Sequence, residues 1–224
     1  MTEMSAIDVN IRLLVAEFAG TFVVSVLALF IPAGTFRWIA SWSFLILSFG
    51  FAIIMVSWLL KHDPELLQER ITGLGRSDQK AWDKVLMNLS LIFFIGWLVL
   101  MPLGAVRFQW SHMPAWLQVV GGLILTVSLY LSYLVFREDP YLSSAVRIQH
   151  DRGQTVISTG LYRYIRHPLY SAFILYALGT ALLLGSWYGM LVGLMLIVMI
   201  AIRALKEEVC CRRDFRATIS TWHN

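Results

Sequence analysis

Residues 168–204 read PLYSAFILYALGTALLLGSWYGMLVGLMLIVMIAIRA, two apolar runs at 169–184 and 187–204 parted only at Gly185 and Ser186, with Trp187 opening the second. Each run is at the short end for a helix that crosses a bilayer, where about 20 apolar residues span the hydrocarbon. So short a break leaves room for a tight antiparallel hairpin and nothing else. The outer ends of both runs must then return to one membrane face.

Working outward, four more apolar runs precede the hairpin, at 12–31, 38–60, 85–105 and 116–136. Six spans use roughly 120 residues, which leaves connections and tails but no room for a soluble domain. Composition agrees: 58% of the 224 residues are apolar and 14% charged, against about 45–50% and 25% in soluble domains. The expected fold is all-α, a polytopic membrane protein of about six transmembrane helices, with residues 1–224 forming one integral membrane domain. Nine Trp, thirteen Phe and eight Tyr exclude a disordered chain, and two cysteines exclude a disulfide framework or a cysteine-built zinc cluster.

The basic residues set an orientation. With the N-terminus inside, sixteen of the eighteen Lys and Arg fall on the inner side and only Arg37 and Arg107 on the other, where the loops carry no acidic residue. Cytoplasmic loops carry such an excess, so both termini are expected in the cytosol. The net charge of +4 then reflects orientation, and no nucleic-acid partner is implied. The first span has Glu3 and Asp8 before it and is long enough to cross, so it reads as a retained helix rather than a cleaved signal peptide. Glu17, about one and a half turns from Arg12, reads as snorkelling to the interface. Ala16 with Gly20, and Gly189 with Gly193, are small residues four apart and predict close helix packing.

Three polar segments share the inner face: 61–84, 137–168 and 205–224. The first predicts a short interfacial helix over His62-Asp63-Pro64-Glu65 to Arg70, ending in a turn at Gly73 and Gly75, with His62 a solvated span end rather than a metal ligand. In the second, Val146-Arg147-Ile148 and Thr155-Val156-Ile157 flank Asp151-Arg152-Gly153 and predict a small hairpin lid. That loop leads into Gly160-Leu161-Tyr162-Arg163-Tyr164-Ile165-Arg166-His167-Pro168-Leu169-Tyr170, the densest constellation in the chain. Pro168 disfavours helix at His167 and suits the first position of a helix. The fifth span should therefore start there, its positive dipole end beside Arg166 and His167, ready for a carboxylate or phosphate. An aromatic and basic belt at headgroup level would use the same residues.

Counting back through the hairpin, Pro168 lies about 27 Å from the turn and Glu207 and Glu208 about 31 Å. A cationic corner and a carboxylate pair would thus meet at one depth and suit a zwitterionic ligand. Glu207 could instead pair with Arg203 one turn earlier.

The pattern Gly160-x-Tyr162-x-x-x-Arg166-His167-Pro168-x-Tyr170, an apolar hairpin, then Glu207-Glu208 resembles the isoprenylcysteine carboxyl methyltransferase family and its bacterial relatives. Ser144 to Gln149 and Asp151 to Gly153 also look like the bacterial branch. Membrane enzymes that methylate phospholipid amines share the paired motif. The resemblance implies S-adenosylmethionine bound at the cytosolic face of a bacterial inner membrane, and a lipophilic methyl acceptor reaching it from the membrane lipids. It implies Arg166 and His167 as catalytic residues. Cofactor contacts would come from Tyr162, Arg166, His167, Pro168, Tyr170, Glu207 and Glu208, with the two tyrosines near the sulfonium or adenine. No metal is implied, and no dinucleotide-binding fingerprint is present. After the glutamate pair, residues 209–224 lack the family's leucine-rich helix, aromatic-glycine step and spaced tyrosines, which predicts a shortened or altered cytosolic tail over 205–224 and weaker cofactor retention. Cys210 and Cys211 are expected to be reduced thiols. The expected activity is methyl transfer to a prenylcysteine-like carboxylate. Alternatives are methylation of a phospholipid amine, a non-catalytic relative that keeps the fold, or a transporter, for which only Glu17, Pro102 and a few glycines are hints.

Overall fold

The computed structural model describes residues 10–72, 81–140 and 159–221, with the backbone alone for residues 69, 72 and 207–221. Helices α1 (Ile11–Ala33), α2 (Ile39–His62), α4 (Ala81–Pro102), α5 (Ala115–Glu138), α6 (Pro168–Leu183) and α7 (Trp187–Thr221) stand where the six apolar runs lie, and a short α3 (Pro64–Thr72) follows α2. Among the described residues there is no strand; the lid expected over 146–157 and the turn at Gly73 and Gly75 lie outside them.

Five of these helices are long and apolar enough to cross a membrane: α1, α2, α4 with its continuation to Arg107, α5, and α7 as far as Lys206. The sixth, α6, has 16 residues, roughly 24 Å at 1.5 Å per residue. Ile31, Ile39, Ile46 and Ile92 are each more than 65% exposed, which a water-soluble surface would not tolerate over such an area. The chain is a polytopic, all-helical integral membrane protein, and these residues face hydrocarbon.

Helix boundaries follow local chemistry. The first turn of α1 is capped by Asn10, whose side chain accepts from Leu13 N at 3.1 Å, and α1 ends at Gly34 in the left-handed conformation that glycine adopts without a steric penalty. Asp63 caps α3, accepting from Leu66 N at 2.8 Å, with Pro64 in the first helical position. The short helix expected there is present. His62 stacks on Trp58 at 4.8 Å and shares a 3.0 Å hydrogen bond with the Trp58 carbonyl. Pro102 has no N–H to give to the ladder, and α4 widens beyond it into a π turn at Leu103–Arg107, closed by Phe108 N donating to Leu103 O at 2.8 Å.

The tightest packing joins α5 and α6. A Cβ on Gly179 would stand 2.6 Å from Leu125 N, and one on Gly121 would strike the Leu182–Leu183 backbone. Ser128 on α5 donates to Ala172 O at 2.7 Å, lower on the same seam. Helix α7 packs on α4 and α6: buried Trp97 donates from Nε1 to Gly189 O at 2.6 Å, Gly189 lies against Met101, and Gly193 lies against Trp97 and Ala177. The small-residue expectation therefore holds for Gly189 and Gly193. It fails for Gly20, where among the described residues a Cβ would meet nothing within 4 Å. Glu17 is exposed on α1, as is Arg12.

At the turn between α6 and α7, Gly185 has φ +72°, and buried Ser186 caps α7 by accepting from Gly189 N at 3.0 Å. Ser111, from the segment after α4, fastens the turn: its hydroxyl donates to Gly185 O and accepts from Trp187 N, both at 2.9 Å. The α6–α7 hairpin is as expected. Its second arm runs beyond the apolar stretch: hydropathy falls after residue 204, and α7 continues as helix to Thr221.

Candidate functional site

The motif residues lie at the end of α6 remote from Gly185. A 3-10 turn, Gly160–Arg163, precedes the sharp step at Arg166-His167, and α6 starts with Pro168 in its first turn. His167 sits at φ −127°, ψ 68°, outside the helical region as a residue before proline prefers. The start at Pro168 is where the sequence placed it.

Two bonds tie the 3-10 turn to the end of α5. The Tyr162 hydroxyl donates to Asp139 Oδ2 at 2.7 Å, and Thr159 Oγ1 donates to Glu138 Oε2 at 3.0 Å. Gly160 is required there on two counts: its φ is +54°, and a Cβ would stand 2.7 Å from Glu138 Cδ. Glu138 and Asp139 were not singled out in the sequence. The available signal was Arg137-Glu138-Asp139-Pro140, a pair of carboxylates at a span end just before a proline stop.

The motif side chains divide by exposure. Pro168 is buried, His167, Tyr162 and Tyr170 are partly buried, and Arg166 is exposed. The His167 and Tyr170 rings stack at 5.4 Å with 25° between their planes, a spacing of three residues across the helix start. Ser171 closes the first turn by donating from N to His167 O at 3.2 Å. The structure thus brings His167, Pro168 and Tyr170 into one corner and sets Tyr162 behind it, its phenol held by Asp139. The side chains of Glu207 and Glu208 lie outside the described residues, as do those of Cys210 and Cys211; the backbone of all four is helical.

A charged cluster that the sequence did not reveal lies one turn before Glu207. Arg203 Nε bonds Asp83 Oδ1 at 3.0 Å, with the Asp83 side chain 0% exposed. Lys206 places its ammonium 5.4 Å over the ring of Trp82. Arg70 of α3 lies 4.6 Å over the Phe136 ring; burial first, and the like charge of Arg203 second, lower its guanidinium pKa to about 10. This ion pair reaches a helix 120 residues away, beyond any local pattern; the side chain of Glu207, the alternative partner open to Arg203 in the sequence, lies outside the described residues.

Two cavities lie elsewhere. One, of about 430 Å³, is lined by Trp38, Ser111, His112, Gln118 and Gly185, at the Gly185 end. The other, about 340 Å³ and almost wholly apolar, runs between α6 and α7 past Ala177, Leu191 and Leu194. Neither touches His167.

The fold and this corner define a class: a helical membrane protein whose last hairpin opens on an Arg-His-Pro step and carries a glutamate pair on its return arm. The resemblance read from those residues is borne out over residues 119–211, which match the model of the isoprenylcysteine carboxyl methyltransferase (ICMT) family. That stretch includes nearly all of α5, the 3-10 turn, α6, and α7 as far as Cys211. The chain is also similar to Protein-S-isoprenylcysteine O-methyltransferase of Schizosaccharomyces pombe, 27% identical over 140 residues, covering 54% of this chain and 59% of the relative. The match therefore spans little more than half the length of that relative. No solved structure matches the chain.

Proposed function

We propose that the protein is a membrane methyltransferase that uses S-adenosylmethionine to methylate a carboxylate on a lipophilic, prenylcysteine-like acceptor. The observation that carries this reading is the corner at Pro168: a family-matched helix start with His167 stacked on Tyr170 and Arg166 exposed beside it.

The donor set suits the cofactor. Its carboxylate fits the Arg166 guanidinium, the His167 ring and the positive end of α6, and its ammonium and ribose hydroxyls fit the acceptor oxygens of Glu207 and Glu208. Chain geometry supports their meeting. Ala177 lies against Gly193 across the hairpin, so nine residues further from the turn Pro168 is level with Ile202. Glu207 follows five residues on, about 7.5 Å further, near the level of the 3-10 turn.

When bound, S-adenosylmethionine supplies a methyl group that a carboxylate oxygen takes by displacement, leaving the electron pair of the broken carbon–sulfur bond on a neutral sulfur. A carboxylate carries no proton to remove, so the protein needs no general base and its task is alignment and exclusion of water. His167 and Arg166 orient the carboxylate end, Tyr170 backs His167, and Tyr162 with Asp139 holds the approach to α6 in place. The excess of basic residues expected on one side, sixteen of eighteen, supports a cytosolic position for this corner. The acceptor arrives from the surrounding lipid.

Binding of labelled S-adenosylmethionine to the purified chain tests the reading. His167→Ala and Glu208→Gln should each weaken it, and wild-type binding by both variants would sink the site. Labelled product from a lipid extract should be a methyl ester that alkali cleaves to methanol. An alkali-stable product would make the acceptor an amine.

A further inference from the structure

Arg203 stands one helical turn before Glu207 and is held from another helix. Its partner Asp83 lies in the first turn of α4, fully buried, 3.0 Å from Arg203 Nε. A buried carboxylate that lost its cation would be strongly unfavourable, so this pair fixes where α7 passes α4. A second contact lies beside it: Lys206, three residues on and so on the same face of α7, sits over Trp82, the neighbour of Asp83. Nearer the Gly185 end, the Trp97 bond to Gly189 O ties the same two helices. Helix α7 is thus pinned to α4 at two heights, which fixes its rotation about its own axis. Glu207 and Glu208 follow Lys206 directly along that helix.

We infer that Asp83 is a positioning residue: through Arg203 it sets the rotation of α7 from which Glu207 and Glu208 are presented to the ammonium and ribose of S-adenosylmethionine. This rests on the proposed function and extends the site to a residue outside the stretch matched to the family, 119–211. Asp83 has no contact with the cofactor in this scheme. It acts through Arg203, so its loss should alter cofactor binding and leave acceptor binding as it was.

The test uses the full chain in lipid nanodiscs. Asp83→Asn keeps the shape and removes the charge; Arg203→Lys keeps a charge but loses the Nε contact; Asp83→Glu keeps the carboxylate. The first two should raise the Kd and the KM for S-adenosylmethionine on the order of 10-fold or more, since small misplacements of a site carry losses of up to about 100-fold. The KM for the acceptor should stay unchanged, and Asp83→Glu should recover most of the affinity. If Asp83→Asn does not fold, Arg203→Lys decides alone. Folded variants that bind the cofactor as tightly as wild type, even with a lowered Tm, overturn the positioning role while leaving the proposed function in place. A wild-type chain that does not bind S-adenosylmethionine overturns that function and this inference together.

Discussion

From Gly179 to Ser186 every residue is buried, whereas from Arg163 to Arg166 every residue is exposed, and α6 joins the two stretches. At the Gly185 end polar atoms are spent on one another: Ser111 bridges Gly185 O and Trp187 N, and Ser186 caps α7. At the Pro168 end the anchoring is done by residues outside the motif, Asp139 on Tyr162 and Glu138 on Thr159, and Arg166 is exposed. Under the proposed function one end is scaffold and the other is chemistry. Damage to the first should lower stability and reduce activity only through unfolding; damage to the second should do the reverse.

The largest expected effect falls on the α5–α6 seam. Gly179→Leu drives a side chain into the Leu125 backbone, where a first Cβ would already stand 2.6 Å from N. Backbone cannot yield as a side-chain tip can, so the variant should lose about 3 kcal/mol or more, at or above the upper range for overpacking. A thermal unfolding scan in detergent checks this. A Tm within a degree or two of wild type would mean that α5 and α6 are not in close contact.

Ser111→Ala comes next. It leaves Gly185 O and Trp187 N without the hydroxyl that serves both, and each is a buried or partly buried backbone group. Unsatisfied buried groups cost about 1–3 kcal/mol, so a loss in that range is expected, with the KM for S-adenosylmethionine unchanged in the folded protein. A raised KM with no change in Tm would break the division between the two ends.

Tyr162→Phe, at the other end, removes one hydrogen bond to a partly buried carboxylate. A bond to a charged but only partly buried acceptor contributes about 1.5 kcal/mol, the low end for charged partners, so stability should drop by that much or less, while turnover falls because the chain leading into His167 loosens. Measuring Tm and kcat on the same preparation separates the two effects. A variant that loses stability but keeps full kcat would make the Tyr162–Asp139 bond scaffold after all.

These contrasts also explain what the sequence discloses. Spans are legible because the bilayer imposes a length and a hydropathy on every one of them, and the start of α6 is legible because proline restricts two successive residues. The Asp83–Arg203 pair is illegible, since nothing local in Trp82-Asp83-Lys84 names a partner 120 residues away. The extent of α7 is illegible for a different reason. Hydropathy reports where a helix leaves the hydrocarbon, and helical hydrogen bonding continues past that point to Thr221. Of the expected site, the cationic corner was readable from the motif, but the carboxylates that hold it, Glu138 and Asp139, were not.

The smallest expected effect tests the same limit at the two glycine pairs. In sequence, Ala16 with Gly20 looks like Gly189 with Gly193, small residues one turn apart, yet Gly20 faces nothing within 4 Å while a Cβ on Gly189 would come within 2.7 Å of Met101 Cγ. Gly20→Ala should therefore be neutral or stabilise by about 0.4–1 kcal/mol, because alanine restricts the unfolded chain at a helical position it can occupy freely. Gly189→Ala gains the same backbone term but must displace Met101, and Ser186 Cβ stands only 3.2 Å away on the other side. It should come out destabilised, and the sign difference between two alanine substitutions, read from Tm in one detergent, sharpens the comparison more cleanly than either value. If Gly20→Ala were destabilising as well, the exposed face of α1 would have to be covered by something other than lipid, and a partner helix packed along Ala16 and Gly20 would become the reading to pursue.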